Sequence, residues 1–562
     1  MTLSLRKALH QVKTIYRFDV MAGLTVAMIA IPQAMAYASI AGVNPIYGLY
    51  TAIIPAIIAS IFGSSNHLVT GPTNTIALAT SGVLVVLIGQ ANYPEYVFAL
   101  SIISGLIMLV LGLFRLGGLV RYVSNAVLTG FLTGAAVLII LNQVSSTFGL
   151  PSAASHATIE VISHLVSHID KINFLVFAVG IANIGLLVAG KRLWPRFPTA
   201  LTTILLTGAL AQFFGWTSLG LQTIGSMGDI NQIGIHFHLP DIPFTNEVFK
   251  MLIVGGGAVA LVSMVEAVSV GKAIGLQTGQ RINPSKEFVG QGLASLVGGF
   301  FQAIPTSGSL TRSAVNFSSG AVTRLSGGIS GLFVLVVVVL FKSWIGFIPI
   351  VSLSAIVIIS ALHLIDMDHI RLTWGSQRSS KIVFTVTFLA VLFFPIQIAI
   401  YLGTFLSIGF YLSESSHLSL HYLELDEATD KFIELDLKKL PDRRSKVVIV
   451  NIEGALYFAA VDDLEDRVHY LIDEGVKVII LRMRRTNTIA STAITSLEAL
   501  IQQACKHDVK IILTGVSEKT REMLIKSDFH HFINEDDIIN ATNIPYEATR
   551  LALNHIKPHD EQ

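Results

Sequence analysis

The sequence predicts a polytopic α-helical membrane protein followed by a soluble α/β domain. Charged residues make up 13% and hydrophobic residues 52% of the 562 residues, whereas soluble proteins contain about 25% charged residues. No Lys, Arg, Asp or Glu occurs in residues 20–94. After residue 413 the composition turns polar, and short apolar stretches begin to alternate with amphipathic ones. The membrane domain is therefore expected to come first.

Fourteen apolar segments are candidates to cross the bilayer, because a spanning helix needs about 20 apolar residues. The first seven are 20–40, 43–62, 72–90, 96–114, 122–143, 172–190 and 199–214. The other seven are 250–271, 287–302, 306–320, 322–341, 344–363, 381–395 and 397–413. With an odd number of spans per half, the second half enters from the opposite side, which predicts a 7+7 inverted repeat.

Basic residues support this topology, because Lys and Arg concentrate in cytoplasmic loops. With the N-terminus inside, the ends that carry Arg121, Lys191 and Arg192 are cytoplasmic, and Glu95 lies in an outer loop. We therefore expect a protein of the plasma (inner) membrane with a cytoplasmic N-terminus and soluble domain. The predicted domains are a cytoplasmic N-terminal segment 1–19, a transport domain 20–413, a linker 414–445, a soluble domain 446–556 and a tail 557–562.

Composition also limits the chemistry of the protein. The single cysteine, Cys505, excludes an internal disulfide framework and cysteine-based zinc or iron–sulfur sites. The net charge of +1 gives no indication of nucleic-acid binding. No cofactor motif, metal site or catalytic triad is apparent, so we do not predict an enzyme. In the soluble domain, strands alternate with helices, which predicts a mostly parallel sheet.

Two polar stretches interrupt the apolar segments, IPTSGSLTRSAVN at 304–316 and TGPTNT at 70–75. Two such broken segments in corresponding halves indicate a transporter's binding site. Helices that begin at Pro305 or Thr306, and at Pro72, would direct free N–H groups and positive dipole ends into a cavity, which suits an anion. The candidate donors and cation are Thr73, Asn74, Ser307, Gly308, Ser309, Thr311 and Arg312.

These stretches also allow structural interpretations. Arg312 could extend to the cytoplasmic surface beside Arg324, and 72–90 could be an ordinary spanning helix. Glu266, the one acid in 251–270, is a candidate proton carrier, since intramembrane acids are functional by default. The structural interpretation of Glu266 is that it forms an ion pair with a nearby Lys or Arg.

Several motifs resemble the SulP (sulfate permease) family of anion transporters. They are PQAMAYASIAGVNPIYGLY at 32–50, TGPTNTIAL at 70–78, EAVSVGKA at 266–273 and NPSKEFVGQGLASLVGGFFQAIPTSGSLTRSAVN at 283–316. The soluble domain resembles the STAS domain. Its 490–493 stretch keeps Ser491, but alanine replaces the Asp and Gly of the usual phosphorylation turn, which favours a docking or dimer-supporting role over a phospho-switch.

The resemblance implies a core of segments 1–4 and 8–11, a gate of 5–7 and 12–14, elevator-like alternating access and often a homodimer. It places the substrate between half-helices 3 and 10, with Gln33 and Tyr37 against it and Arg312 near the anion. Gln33 and Tyr37 share one helix face, and each could equally make purely structural contacts. Family acids at the position of Glu266 accompany cation-coupled symport.

The leading hypothesis is a secondary active transporter of a small inorganic oxyanion, with sulfate as the first candidate and H⁺ or Na⁺ as the coupling ion. Bicarbonate and dicarboxylates are alternatives, because the same site chemistry serves each. Further alternatives from other functional classes are an anion channel, an exchanger or a sensor whose STAS domain signals. A nucleobase–cation symporter is disfavoured, because segment 10 carries Arg312 and no acid.

Overall fold

The computed structural model describes residues 2–150, 158–194, 197–227, 234–243, 245–416, 418–426, 428–435, 446–456, 458–526 and 533–556. The chain divides into two compact units, Met1–Ile408 and Gly409–Gln562. The tail 557–562 and the linker residues 436–445 lie outside the described residues.

The first unit is helical apart from two short strands, β1 (Thr70–Gly71) and β2 (Ser307–Gly308). Among the described residues, eight helices are long and apolar enough to cross a membrane. The helices are α1 (Thr2–Ile40), α2 (Pro45–Phe62), α3 (Asn74–Val83), α4 (Tyr93–Leu113), α5 (Asn125–Thr147), α6 (Thr158–Ser167), α7 (Phe174–Leu193), α8 (Thr199–Phe213), α9 (Asn246–Thr278), α10 (Pro284–Gly299), α11 (Leu310–Ser318), α12 (Leu325–Leu340), α13 (Lys342–Ile345), α14 (Ile350–Leu362), α15 (Met367–Gly375), α16 (Arg378–Phe393) and α17 (Ile396–Ser416).

Each of the fourteen predicted segments contains a helix, while α6, α13 and α15 were not expected. Helices α3 and α11 are only about 15 Å long at 1.5 Å per residue, so neither can span a hydrocarbon core of about 30 Å. Segment 72–90 is therefore a half-helix and not an ordinary span. The inverted-repeat arrangement stays a prediction.

The predicted starts of both half-helices were wrong. Helix α11 begins at Leu310, not at Pro305 or Thr306, and α3 begins at Asn74, not at Pro72. The preceding residues are extended because β1 and β2 pair with each other. This pairing satisfies backbone groups that a longer helix would have used.

Glycines bring α4 and α10 into close contact. A Cβ added at Gly105 would lie 2.3 Å from the backbone nitrogen of Leu296, and one at Gly292 would lie 2.5 Å from that of Leu109. Small residues allow such close approach of helices in membranes. Helix α10, which precedes β2 and α11 in the chain, is therefore packed tightly against α4.

The second unit contains a six-stranded mixed sheet with helices between its strands. Its elements are β3 (Ser419–Asp426), β4 (Lys431–Leu435), β5 (Val447–Leu456), α18 (Phe458–Asp473), β6 (Val478–Ile489), α19 (Ser491–Lys506), β7 (Lys510–Val516), α20 (Glu518–Lys526), β8 (Ile538–Asn540) and α21 (Glu547–Ile556). The strands lie in the order β4-β3-β5-β6-β7-β8. Strands β5 to β8 run parallel, and β3 is antiparallel to both β4 and β5.

The alternation of strands and helices in the second unit was predicted from the sequence, but the structure differs from the prediction in three places. Strands β3 and β4 form a hairpin within the segment predicted as a linker, and β8 was not foreseen. The apolar residues 455–460 (ALYFAA) predict a further strand, but β5 continues to Leu456 and α18 begins at Phe458.

Candidate anion site

A two-residue antiparallel pair joins the starts of the two half-helices. Thr70 lies opposite Gly308, and Gly71 lies opposite Ser307. The backbone N–H of Ser309 also donates to the carbonyl of Val69 at 2.9 Å. Because α3 and α11 begin immediately after this pair, their N-termini are held close together inside the first unit.

Hydroxyl residues cap both half-helices. The Thr73 hydroxyl accepts a hydrogen bond from the Ile76 N–H at 3.3 Å, and the Ser309 hydroxyl accepts one from the Arg312 N–H at 3.4 Å. Among the described residues, no acceptor contacts the N–H groups of Leu310 and Thr311. Free N–H groups at a helix start form an anion-binding site.

A cavity of about 350 Å³ lies against these helix starts. The predicted site residues in its wall are Gln33, Tyr37, Thr73, Asn74, Glu266, Ser309 and Thr311. The wall therefore combines α1, both half-helices and α9. The buried Gln33 Oε1 has no hydrogen-bond partner among the described residues, so it is available to a bound molecule or water.

Glu266 lies near the middle of α9 and faces the cavity. Its Oε2 accepts a hydrogen bond from the Thr73 hydroxyl at 3.1 Å. It interacts electrostatically with Arg312, but the described residues form no direct ion pair with it. The structure therefore does not show the alternative interpretation, in which Glu266 forms an ion pair with a Lys or Arg.

Arg312 lies behind the cavity wall and is only 1% exposed. Its guanidinium donates to the carbonyl of Pro72 at 2.8 Å, and its Nε has no partner among the described residues. A Cβ added at Gly71 would lie 2.6 Å from Arg312 Nη1. The side chain thus crosses from α11 to the start of α3 and does not reach a membrane surface beside Arg324.

Two predicted residues support the site without lining the cavity. The Ser307 hydroxyl donates to the Ser263 carbonyl of α9 at 3.1 Å. Gly308 packs so closely on α9 that an added Cβ would lie 3.1 Å from the Cα of Ala267. Both residues attach β2 to the helix that carries Glu266.

Sequence reasoning missed several cavity residues. Ser360 of α14 lines the cavity, as Tyr37 does, together with Thr25, Lys191 and His363. Lys191 was noted only as a basic loop residue, and neither Ser360 nor His363 belongs to a recognisable motif. Their proximity depends on the packing of α7 against α14 and of α14 against α1, which a single sequence does not reveal.

Comparisons with known proteins support the motif resemblance. A profile of the sulfate permease family matches residues 16–387, and a STAS domain profile matches residues 438–542. The chain belongs to the sulfate permease family. Its relatives include "Sulfate transporter 4.1, chloroplastic" of Arabidopsis thaliana, which is 28% identical over 96% of this chain and 81% of the relative. The "Putative sulfate transporter YvdB" of Bacillus subtilis is 27% identical over 92% of this chain and 95% of the relative.

Solved structures of transporters share the fold of this chain. The murine Slc26a9 anion transporter in the inward-facing state matches with a TM-score of 0.83 and 19% identity, over 96% of this chain and 91% of that one. The transmembrane domain of the cyanobacterium bicarbonate transporter BicA matches with a TM-score of 0.61 and 21% identity, over 70% of this chain and 97% of that one. The protein is therefore an anion transporter of the sulfate permease family with a C-terminal STAS domain, and not an enzyme.

Proposed function

We propose that this protein carries a small inorganic oxyanion, with sulfate as the first candidate, by symport with H⁺ or Na⁺. The observation that carries the proposal is the meeting of two half-helix starts at one cavity. There the free N–H groups of Leu310 and Thr311 and the hydroxyl of Ser309 offer donors, and Thr73, which caps the other half-helix, lines the same cavity. An oxyanion accepts such hydrogen bonds with each of its oxygens.

Arg312 supplies the positive charge of the proposed site from behind the wall. A buried guanidinium contributes strongly to the local potential, because protein screens charge less than water does. Its bond to the Pro72 carbonyl fixes it between the two helix starts. We assign it an electrostatic role, with Gln33 and Tyr37 as further contacts for the anion.

Glu266 is the proposed coupling residue. It shares the cavity with the anion donors and is bonded to Thr73, the cap of α3. A negative carboxylate beside an anion site repels the anion, whereas a protonated or Na⁺-bound carboxylate does not. Cation binding would therefore favour anion binding, which is the requirement for symport.

Alternating access is proposed to be elevator-like, with the core of segments 1–4 and 8–11 moving against the gate. In support, α3, α9 and α11 are joined by the contacts described above, whereas α7 and α14 contribute other residues of the cavity wall. Lys191 and Arg192 end α7, and basic ends are typically cytoplasmic. The cavity would then open toward the cytoplasm.

The remaining assignments follow from the same topology and family. We propose a homodimer in the plasma (inner) membrane, with the N-terminal segment 1–19 and the STAS domain 446–556 in the cytoplasm. The transport domain would be 20–413, joined through 414–445. Bicarbonate and dicarboxylates remain alternative substrates, since they present similar oxygens to the same donors.

Uptake by reconstituted protein tests the proposal. Labelled sulfate and labelled bicarbonate would be offered to proteoliposomes with pH and Na⁺ gradients imposed separately, and protein-free liposomes would serve as the control. Sulfate uptake that follows one gradient supports symport. Currents that reverse at the anion's Nernst potential without a coupled ion would contradict symport and indicate a channel.

A further inference from the structure

Lys191 and His363 form a contact in the wall of the cavity that the proposed anion site does not use. Lys191 lies in the last turn of α7, and His363 directly follows α14. The Lys191 Nζ contacts the His363 Nε2. Among the described residues, no carboxylate pairs with either side chain, although both are exposed and line the cavity.

The two contacts of the His363 ring limit where its proton can lie in this arrangement. An ammonium group can only donate, so Nε2 must accept from Lys191. Nδ1 lies beside the carbonyl of Ile359 at 2.5 Å, and a carbonyl can only accept, so Nδ1 carries the proton. This hydrogen-bond pattern fits a neutral imidazole at His363, in which a second proton on Nε2 would have to displace Lys191.

Among the residues that the structure describes, few other ionisable groups lie near His363. The cavity wall contributes Glu266 from α9 and Tyr37 from α1, and it also contains Ser360, which lies one turn before His363. Following His363 in the chain, Asp366 is bonded to His369 at 2.8 Å. Residues 197–201 add no charge to the wall. Lys191 is thus the one charged contact of His363 among the described residues.

We propose that Lys191 and His363 form a second anion subsite in the cavity, which binds an oxyanion together with one proton on His363. The subsite deepens the proposed function and rests on it. When the anion arrives, Lys191 leaves Nε2, a proton from water binds Nε2, and both cations donate to anion oxygens. The anion replaces the one hydrogen bond between Lys191 and neutral His363 with two charge-assisted hydrogen bonds. Its negative charge also offsets the repulsion between the two cations that form.

This arrangement links anion affinity to pH. Since binding and protonation are reciprocal, a bound anion favours protonation of His363 and protonation favours the anion. Imidazoles change charge between about pH 5 and 8. The subsite would therefore bind anions more tightly as the pH falls through this range, independently of Glu266.

Calorimetry of the full-length protein counts the protons directly. Sulfate would be titrated at about pH 7, within the range in which imidazoles titrate, into protein in Tris and in HEPES. These buffers differ in ionisation enthalpy, so the difference in heat reports proton uptake. Sulfate and fumarate are suitable probes because both remain dianions across this range, whereas bicarbonate itself titrates. The Glu266→Gln background removes the other proposed proton carrier.

In that background we expect proton uptake with sulfate, and its loss in the additional variant His363→Gln. Sulfate affinity should be about five- to tenfold higher at about pH 6 than at about pH 8, and this ratio should approach one in His363→Gln. Lys191→Gln should lower sulfate affinity at both pH values, because it removes one of the two cations of the subsite. Arg192→Gln is the matched control, because it removes the adjacent charge of α7 outside the cavity wall. Both subsite side chains are exposed, so these replacements leave no buried partner unpaired.

The proposed function and the proposed subsite are contradicted by different results. Absence of any sulfate or fumarate binding by the wild-type protein would contradict the proposed function. Normal sulfate binding with unchanged proton uptake in His363→Gln would overturn the subsite alone. An equal effect of Arg192→Gln and Lys191→Gln on sulfate affinity would also overturn the subsite. The effect would then come from the general positive charge at the end of α7.

Discussion

The Thr73 hydroxyl donates a hydrogen bond to Glu266 Oε2 at 3.1 Å and accepts one from the Ile76 N–H at 3.3 Å. One side chain thus caps half-helix α3 and contacts the intramembrane carboxylate of α9. A change in the charge of Glu266 would alter this bond at the start of α3. The proposed coupling between cation and anion has a direct path through Thr73.

Thr73→Ala should weaken both functions of this hydroxyl. Loss of an N-cap costs about 1 kcal/mol, so we expect a lower thermal unfolding temperature and weaker coupling of sulfate uptake to the cation gradient. Thr73→Ser keeps the hydroxyl and should retain both properties. Thermal unfolding and gradient-driven uptake of the two variants provide the measurement. Equal coupling in the Ala and Ser variants would contradict a role for the hydroxyl.

Glu266→Gln should separate anion binding from cation coupling. The amide oxygen can still accept from Thr73, but the amide cannot take up a proton. Coupling free energies are typically 1–3 kcal/mol, so gradient stimulation of uptake should fall by about tenfold or more, while sulfate exchange at equal concentrations persists. Glu247→Gln, an exposed acid in the first turn of the same helix, should leave stimulation unchanged. Full stimulation in Glu266→Gln would exclude this residue as the coupling group.

Gly71→Ala should displace Arg312 without changing any charge. The new Cβ would lie 2.6 Å from Arg312 Nη1, and such overpacking costs about 1–3 kcal/mol. If this cost falls on anion binding, the KM for sulfate rises by about tenfold, since about 1.4 kcal/mol corresponds to a factor of ten. Gly185→Ala is the control, because no atom lies within 4 Å of its added Cβ. An unchanged KM in Gly71→Ala would argue against the electrostatic role of Arg312.

In the STAS domain, Asn451→Ala should destabilise the centre of the sheet. Asn451 Oδ1 accepts from Arg482 Nη1 at 2.6 Å, and burial lowers the pKa of Arg482. Leaving a buried donor unpaired costs about 1–3 kcal/mol. Hydrogen exchange of the full chain should therefore show faster exchange of β5 and β6 amides. Asn554→Ala, at an exposed position of α21, should not change it, and equally slow exchange in both variants would contradict the prediction.

The sequence predicted the membrane class, the fourteen helical segments and the STAS domain, because hydropathy and motif order are local properties. It predicted the wrong starts for α3 and α11, because the pairing of β1 with β2 joins residues more than 230 positions apart. Proline and threonine signals describe only the local chain. The extended segments before Thr73 and Ser309 depend on a partner that the local sequence does not identify.

The candidate site was predicted in part. Polar residues at the helix starts and the lone acid of α9 were recognisable because such groups are costly in a membrane. The orientation of Arg312 was not predictable, since it depends on the space above Gly71. Ser360, Lys191 and His363 were missed because helix ends with basic residues are common, and only the tertiary packing places these residues in the cavity wall.

The most direct test of the proposed site measures whether sulfate protects a side chain at the start of α11. In a Cys505→Ser background, which removes the single native cysteine, Thr311→Cys would be treated with a charged methanethiosulfonate reagent. Ser318→Cys, exposed at the other end of the same half-helix, serves as the control. The account predicts that sulfate slows modification at position 311 and leaves position 318 unaffected. Equal modification rates at position 311 with and without saturating sulfate, in protein that still takes up sulfate, would contradict it.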